Sequence, residues 1–225
     1  MKFKYIVSLL LLSVLFSSTV MSQNSRGKRK QKHKQKELTE KQRYEEADLF
    51  ARGLIKKQVG DYQAAYELFL AAMEINPNDA AANYELSRVL IALGRNDEAL
   101  PLAKKSLDIS PDNMWYKAHF AKVSRINENY DDYVTAYAEL AEENPYDLNF
   151  IYELAFAYQF TGDYKNAIAA FDKIEELMGM NERITTQKTE FYSKIGEPEK
   201  GVEEYEKLIN SNPDDTRYYA LLAEY

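Results

Sequence analysis

The sequence repeats its landmark residues every 34 positions. Glycines occupy one such register at Gly60, Gly94, Gly162 and Gly196, and Glu128 takes the intervening place. Prolines occupy a second register at Pro77, Pro111, Pro145 and Pro213, with Gly179 in the gap. A fixed period of this length is typical of solenoids, in which each unit packs only against its neighbours. The period therefore predicts a linear array rather than one globular core.

Each period contains two amphipathic helices. Apolar residues recur at i, i+3, i+4 and i+7 in Leu86, Val89, Leu90 and Leu93, and again in Ala167, Ala170, Phe171 and Ile174. Strand-like alternation is absent. The glycine register ends the first helix of each unit, because glycine most readily adopts the left-handed cap conformation. The proline register ends the second helix. Asp61, Asp97 and Asp163 are placed to cap the second helices.

Two further registers hold small residues that would allow helix backbones to approach closely. The first-helix register comprises Gly53, Ser87, Ala121, Ala155, Thr189 and Ala223, and the second-helix register comprises Ala65, Ala99, Tyr133, Ala167 and Gly201. Large rings at Phe69, Tyr137, Phe171 and Tyr205 are predicted to fill the adjacent space. The tyrosines predicted to lie in the core are Tyr62, Tyr130, Tyr137, Tyr164 and Tyr205.

These registers resemble the tetratricopeptide repeat family over residues 46–225. The resemblance implies an all-α fold, an α-α superhelix of helix-turn-helix repeats with five full repeats and a partial sixth. The expected repeats are 46–79, 80–113, 114–147, 148–181, 182–215 and the partial 216–225, within a solenoid spanning 44–225. The third repeat departs most from the pattern, with Tyr133 at an alanine position and Glu128 at the glycine. Thr39 and Gln42 form a capping box that predicts a helix start near Glu40.

The beginning of the chain has the pattern of a targeting segment. Residues 1–22 combine Lys2 and Lys4, an apolar run and small residues at Val20 and Ser22, which predicts a signal peptide and export to the periplasm. The alternative is an uncleaved membrane anchor. Residues 23–43 form a basic linker without a core of its own, and we expect it to be disordered. It could contact an anionic membrane surface or an acidic partner, or serve as a solvated spacer.

Residues 44–225 are acidic, with 34 Asp or Glu against 18 Lys or Arg. This balance and the signal segment argue against a nucleic-acid partner. The chain has no cysteine and no phosphate-binding glycine loop. We interpret His119 as a surface or groove residue, and the pairs Glu175 with Glu176, Asp131 with Asp132 and Glu203 with Glu204 as solvated faces. No catalytic residue, cofactor or metal site is predicted, and the chain is not expected to be an enzyme.

The resemblance implies that the first helices line a concave groove that binds a peptide or a partner helix. The candidate groove residues are Tyr84, Arg88, Trp115, His119, Lys122, Tyr152, Phe156 and Gln159. The family's carboxylate clamp needs Lys and Asn at positions occupied here by Phe50 and Leu54, so that specialised function is not supported. The sequence therefore predicts a non-catalytic scaffold or adaptor of the bacterial cell envelope.

The final unit ends at Tyr225, halfway through a sixth repeat. A longer natural chain is the favoured expectation. In that case the array could be the interaction module of a protein with a catalytic or membrane domain beyond residue 225. The other alternative is a structural protein that self-associates through the uncapped last repeat.

Overall fold

The computed structural model describes residues 37–225, and the predicted signal peptide and most of the basic linker lie outside these residues. The described part contains eleven α-helices and no strand. They are α1 (Glu40–Gln58), α2 (Tyr62–Ile75), α3 (Ala80–Ala92), α4 (Asn96–Ile109), α5 (Met114–Ile126), α6 (Tyr130–Glu143), α7 (Leu148–Thr161), α8 (Tyr164–Met178), α9 (Glu182–Lys194), α10 (Pro198–Ser211) and α11 (Thr216–Glu224). Within residues 37–225, no helix is both long and apolar enough to cross a membrane.

The helices of Glu40–Tyr225 pack in chain order. Each odd-numbered helix from α1 to α9 packs against the helix that follows it, which gives five helical pairs with α11 standing alone at the end. The second helix of every pair also contacts the first helix of the next pair. The prediction of an all-α superhelix of helical repeats is confirmed.

The glycine register lies where the first helices end. Its glycines have positive φ values, for example 80° at Gly60 and 75° at Gly162. Glu128 also adopts a positive φ, 59°, and it is the only residue other than glycine to do so within residues 37–225. A side chain costs about 1–2 kcal/mol in this conformation. The third repeat therefore keeps the turn geometry at a cost in stability.

The predicted aspartate caps are correct at two of three positions. Asp61 accepts a hydrogen bond from the backbone N–H of Ala64, and Asp163 accepts one from that of Asn166. The prediction for Asp97 is wrong, because α4 begins one residue before it and Asp97 lies inside the first turn. Its carboxylate there complements the partial positive charge of the helix start.

The small-residue registers are buried between helices as expected. Ser87, Ala121 and Ala155 are fully buried, and Ser87 Oγ donates a hydrogen bond to the carbonyl of Ala99 in the second-helix register, at 2.9 Å. Gly53 has no room for a methyl group, because a Cβ there would lie 2.7 Å from the ring of Phe69. The exception is the last member, Ala223, which is exposed on α11.

The predicted core tyrosines differ in how deeply they are buried. Tyr137 and Tyr205 are buried, and Tyr130 and Tyr164 are half-buried. The prediction for Tyr62 is wrong, since 38% of its surface is exposed. Tyr130 stacks on Phe160 of the next first helix, with ring centroids 5.2 Å apart. The residue at the corresponding distance from Tyr62 is Ala92, which offers no ring to stack on.

An ion cluster centred on the buried Lys188 occupies the junction between the fourth and fifth repeats. The Lys188 cluster comprises Lys188, Asp172, Glu175, Glu204 and Lys207. Lys188 is 2% exposed, and its ammonium lies 2.7 Å, 2.8 Å and 2.6 Å from carboxylate oxygens of Asp172, Glu175 and Glu204 respectively. Burial opposes the charge of Lys188, but the hydrogen bonds that its ammonium donates to the three carboxylates outweigh this effect and raise its pKa. Glu175 and Glu204 are therefore not the solvated residues that the sequence predicted.

Candidate functional site

A cavity of about 590 Å³ opens on the surface formed by three successive first helices, α3, α5 and α7. We call this surface the first-helix cavity. Its lining residues are Tyr84, Arg88, Met114, Trp115, Ala118, His119, Lys122, Tyr137, Asp147, Asn149, Phe150 and Glu153. The 34-residue period brings them together, because each first helix lies one repeat further along the array. Five of the eight predicted groove residues lie here: Tyr84, Arg88, Trp115, His119 and Lys122.

Aromatic side chains form one part of this cavity. Trp115 has 67% of its surface exposed. The ring of Tyr84 is half-buried and lies 5.0 Å from the ring of Tyr116 and 4.9 Å from the imidazole of His119. Arg88 places its guanidinium over the Tyr84 ring at 5.3 Å. An exposed tryptophan beside packed rings is a surface that an apolar side chain of a partner can bury.

His119 is held in one tautomer by the small-residue register. Since the Ser87 hydroxyl donates its proton to the Ala99 carbonyl, the imidazole Nε2–H must donate to Ser87 Oγ, 2.9 Å away. Nδ1 then carries no proton and has no hydrogen-bond partner among the described residues. Burial, and after it the positive charges of Arg88 and Lys122, lower the pKa of His119 to about 4. His119 is therefore neutral at pH 7, with Nδ1 as an acceptor.

The charged residues of the cavity differ in how well they are paired. Asp147 caps α7 by accepting a hydrogen bond from the Asn149 backbone N–H at 2.9 Å. Glu153 accepts a hydrogen bond from the buried Tyr133 hydroxyl at 2.7 Å. Lys122, by contrast, is exposed and forms no ion pair within residues 37–225. Both acidic groups thus accept a hydrogen bond within the protein, whereas the ammonium of Lys122 has no ion-pair partner among the described residues.

The other three predicted groove residues do not line this cavity. Tyr152 packs towards the fourth and fifth repeats, with its ring 6.2 Å from that of Phe171 and Arg183 stacked over it at 5.8 Å. Phe156 and Gln159 lie further along α7 and are half-buried. Whether these three contact a partner remains a prediction.

Sequence reasoning missed several lining residues. Asn149 and Glu153 lie on α7 and complete the cavity from the fourth repeat. They occupy the same repeat positions as Trp115 and His119, 34 residues earlier, so the period itself could have identified them. Among residues 37–225, no group of three or more His, Asp or Glu side chains could hold a metal ion.

The sequence and the fold were compared with known proteins. The profile described as "Tetratricopeptide repeat" matches residues 58–119 and 161–225. The human protein DnaJ homolog subfamily C member 3 is 26% identical over 187 residues, which cover 72% of this chain and 37% of the human protein. The chain therefore spans little more than a third of that relative.

Solved structures that are similar in fold include MamA and YrrB. The MamA protein aligns with a TM-score of 0.64 at 16% identity, covering 77% of this chain and 94% of the MamA chain. YrrB, described as a TPR protein with an unusual peptide-binding site, aligns with a TM-score of 0.63 at 17% identity, covering 77% of this chain and 89% of its own. At such identities the likeness establishes the fold alone.

Proposed function

Because this chain belongs to the tetratricopeptide repeat family, we propose that it captures a peptide segment of a protein partner on the first-helix cavity. Proteins of this family typically act as non-catalytic interaction scaffolds, and a solenoid suits that role because stacked repeats present a long continuous surface. The partner segment would lie across α3, α5 and α7. Contacts further along α7, at Tyr152, Phe156 and Gln159, would extend the same surface.

One observation carries this proposal: an exposed tryptophan adjoins cations that are not fully paired. Trp115 is 67% exposed and lines the cavity together with Arg88 and Lys122. Trp and Arg are the residues most enriched among those that dominate binding energy at interfaces. Isolated exposed apolar residues are common, but an exposed Trp that shares a cavity with cations is suited to recognising a partner.

We further propose that the protein acts outside the cytoplasm, as a scaffold of the bacterial cell envelope. The support is the signal-like pattern of residues 1–22. The basic linker would add electrostatic attraction to an anionic membrane surface. Cell fractionation of the tagged full chain tests this, and recovery in the cytoplasm alone would contradict it.

A charge-reversal variant tests the proposed surface. Arg88→Glu with Lys122→Glu is expected to reduce partner capture at least tenfold in a crosslinked pull-down from the native envelope, with an unchanged far-UV helical signal. The matched control is Lys165→Glu with Lys173→Glu, which makes the same change in net charge on exposed positions of α8. Equal capture by the two variants would show that the partner binds elsewhere.

A second candidate function, self-association through α11, rests on one observation. None of the residues of α11 is buried, and Tyr219 is 50% exposed. An apolar helix face of this kind can pair with another copy of the chain. Light scattering of residues 44–225 and of a version ending at Asp215 distinguishes the cases, since a monomer in both would exclude self-association through α11.

A further inference from the structure

We propose that the partner segment presents an internal Asp or Glu side chain to Arg88, His119 and Lys122, and that capturing this carboxylate places a proton on His119. The inference rests on the proposed function of the first-helix cavity and specifies its ligand. It concerns the chemistry of recognition and its dependence on pH.

The pairing of charges around the cavity favours an anion. Asp147 and Glu153 already accept hydrogen bonds from protein donors. Lys122 forms no ion pair within the described residues, so its full charge is available. Arg88 has one ion pair, at 3.3 Å to Glu85, and that carboxylate also binds Lys57. The ammonium of Lys122 therefore keeps its hydrogen-bond donors available for an anion.

The position of His119 favours the same ligand. Arg88 and Lys122 line the same cavity as His119, and after burial their positive charges are what lowers its pKa. A carboxylate bound by these two cations would lie near the imidazole as well. It would offset the repulsion from the two cations, which adds to the effect of burial, and would attract the protonated form of the ring directly. Nδ1 would accept the proton, because Nε2–H already donates to Ser87.

His119 is surrounded by groups from several helices, and its side-chain hydrogen bond within the described residues goes to Ser87 rather than to a carboxylate. The titratable and charged residues near it are Tyr84, Glu85 and Arg88 of α3, Tyr116 and Lys122 of α5, Tyr137 of α6, and Asp147 and Glu153 at α7. Glu85 is held by Lys57 and Arg88, and Glu153 by Tyr133. A partner's carboxylate would add a counter-ion that contacts Lys122 and His119 directly.

The surroundings favour a side-chain carboxylate over a chain terminus. The cations lie in the second and third repeats, and first-helix residues continue in both directions, to α1 on one side and to α7 on the other. An extended segment can therefore pass over Arg88 and Lys122 and continue. The positions that would clamp a terminal carboxylate hold Phe50 and Leu54, which pack against the hydrophobic core.

The test uses the full chain and fluorescent ten-residue peptide libraries with one fixed central residue. The amidated library with a fixed Glu is expected to bind about tenfold more tightly than the one with a fixed Gln. The preference should disappear in Lys122→Gln with Arg88→Gln and persist in the control Lys165→Gln. A third library, with the fixed Gln and a free terminal carboxylate, tests whether the C-terminus of the partner supplies the carboxylate instead of a side chain.

Proton uptake by His119 is measured in a separate experiment. The pKa of His119, followed by NMR with His33 as the internal reference, is expected to rise by about two pH units when the Glu library binds. Linkage then requires affinity to increase about tenfold from pH 7.5 to pH 5. His119→Gln should remove this pH dependence.

Each negative result has a separate meaning. Equal binding of the Glu and Gln libraries would overturn the carboxylate inference and leave peptide capture intact. Preference for the free terminus would overturn the internal position. An affinity that does not change between pH 7.5 and pH 5 would overturn the proton linkage. If no library binds at all, both this inference and the proposed function fail.

Discussion

Two consecutive junctions between repeats fill equivalent positions with side chains of opposite chemistry. The junction of repeats 3 and 4 is apolar, and the junction of repeats 4 and 5 contains the Lys188 cluster. Residues 34 apart are equivalent: Ala138, Ala141, Leu154 and Ala170 at the first correspond to Asp172, Glu175, Lys188 and Glu204 at the second. Because the backbone arrangement recurs, the difference lies in the side chains.

The apolar junction is underfilled. Its three alanines leave a cavity of about 320 Å³ on the side of the second helices, with Glu142 and Lys173 at the rim. The ionic junction uses longer side chains and buries their charges. Glu204 is 6% exposed as a side chain, and Glu175 Oε1 is buried without a hydrogen-bond partner in the described structure. Such a cluster fixes geometry but adds little net stability, because removing charges from water is costly.

The largest expected effect follows from removing the central cation. Lys188→Leu should lower the free energy of unfolding by about 3–5 kcal/mol, because it leaves buried carboxylates without their counter-ion. Urea unfolding followed by circular dichroism measures this. The matched control converts the whole cluster to the residues of the apolar junction, with Asp172→Ala, Glu175→Ala, Lys188→Leu and Glu204→Ala. This fourfold variant should be as stable as the wild type or more so.

Either of two results would contradict the view that the two junctions differ only in whether their side chains are apolar or charged. A loss of less than about 1 kcal/mol in Lys188→Leu would mean that water reaches the carboxylates. A fourfold variant as unstable as the single one would mean that the two junctions differ in backbone geometry as well as in side chains.

Low pH should destabilise the ionic junction more than the apolar junction. Burial opposes the charge of Glu204, but hydrogen bonds from Lys188 and Lys207 outweigh it and lower its pKa. A carboxyl whose folded pKa is lowered stabilises the fold above its unfolded pKa, near 4.5, and loses that contribution as the pH falls through the folded value. A tenfold difference in proton affinity between the folded and unfolded states corresponds to about 1.4 kcal/mol. Between pH 6 and pH 3 the wild type should therefore lose more stability than the fourfold variant, and parallel losses would contradict this.

The smallest expected effect is a gain in stability at the apolar junction. Ala141→Leu should raise the free energy of unfolding by about 1 kcal/mol, because the added methyl groups enter the existing cavity. The equivalent position one repeat earlier already holds Leu107, which packs against the core. The reverse change, Leu107→Ala, is the control and should be destabilising. No gain from Ala141→Leu would indicate that the cavity closes in solution.

Much of the fold could be predicted from the period. The helix ends follow the glycine and proline registers, and even Glu128 adopts the left-handed conformation that its position in the glycine register requires. Five of the eight groove candidates share one cavity, because residues 34 apart, such as Arg88 and Lys122, lie on neighbouring first helices. The burial of Lys188 was also predictable, since Lys188 falls in the register of Leu86, Phe120 and Leu154.

The sequence by itself determined the repeated architecture, because a periodic arrangement of apolar, small and chain-terminating residues allows one way of stacking helix pairs. Only the tertiary structure decided how each position is used. It placed carboxylates from α8 and α10 around Lys188, left Tyr62 without an aromatic partner, and directed Tyr152 away from the first-helix cavity. Those outcomes depend on side chains one repeat away, and the free energy of a charged or aromatic group is set by the neighbours that it meets there.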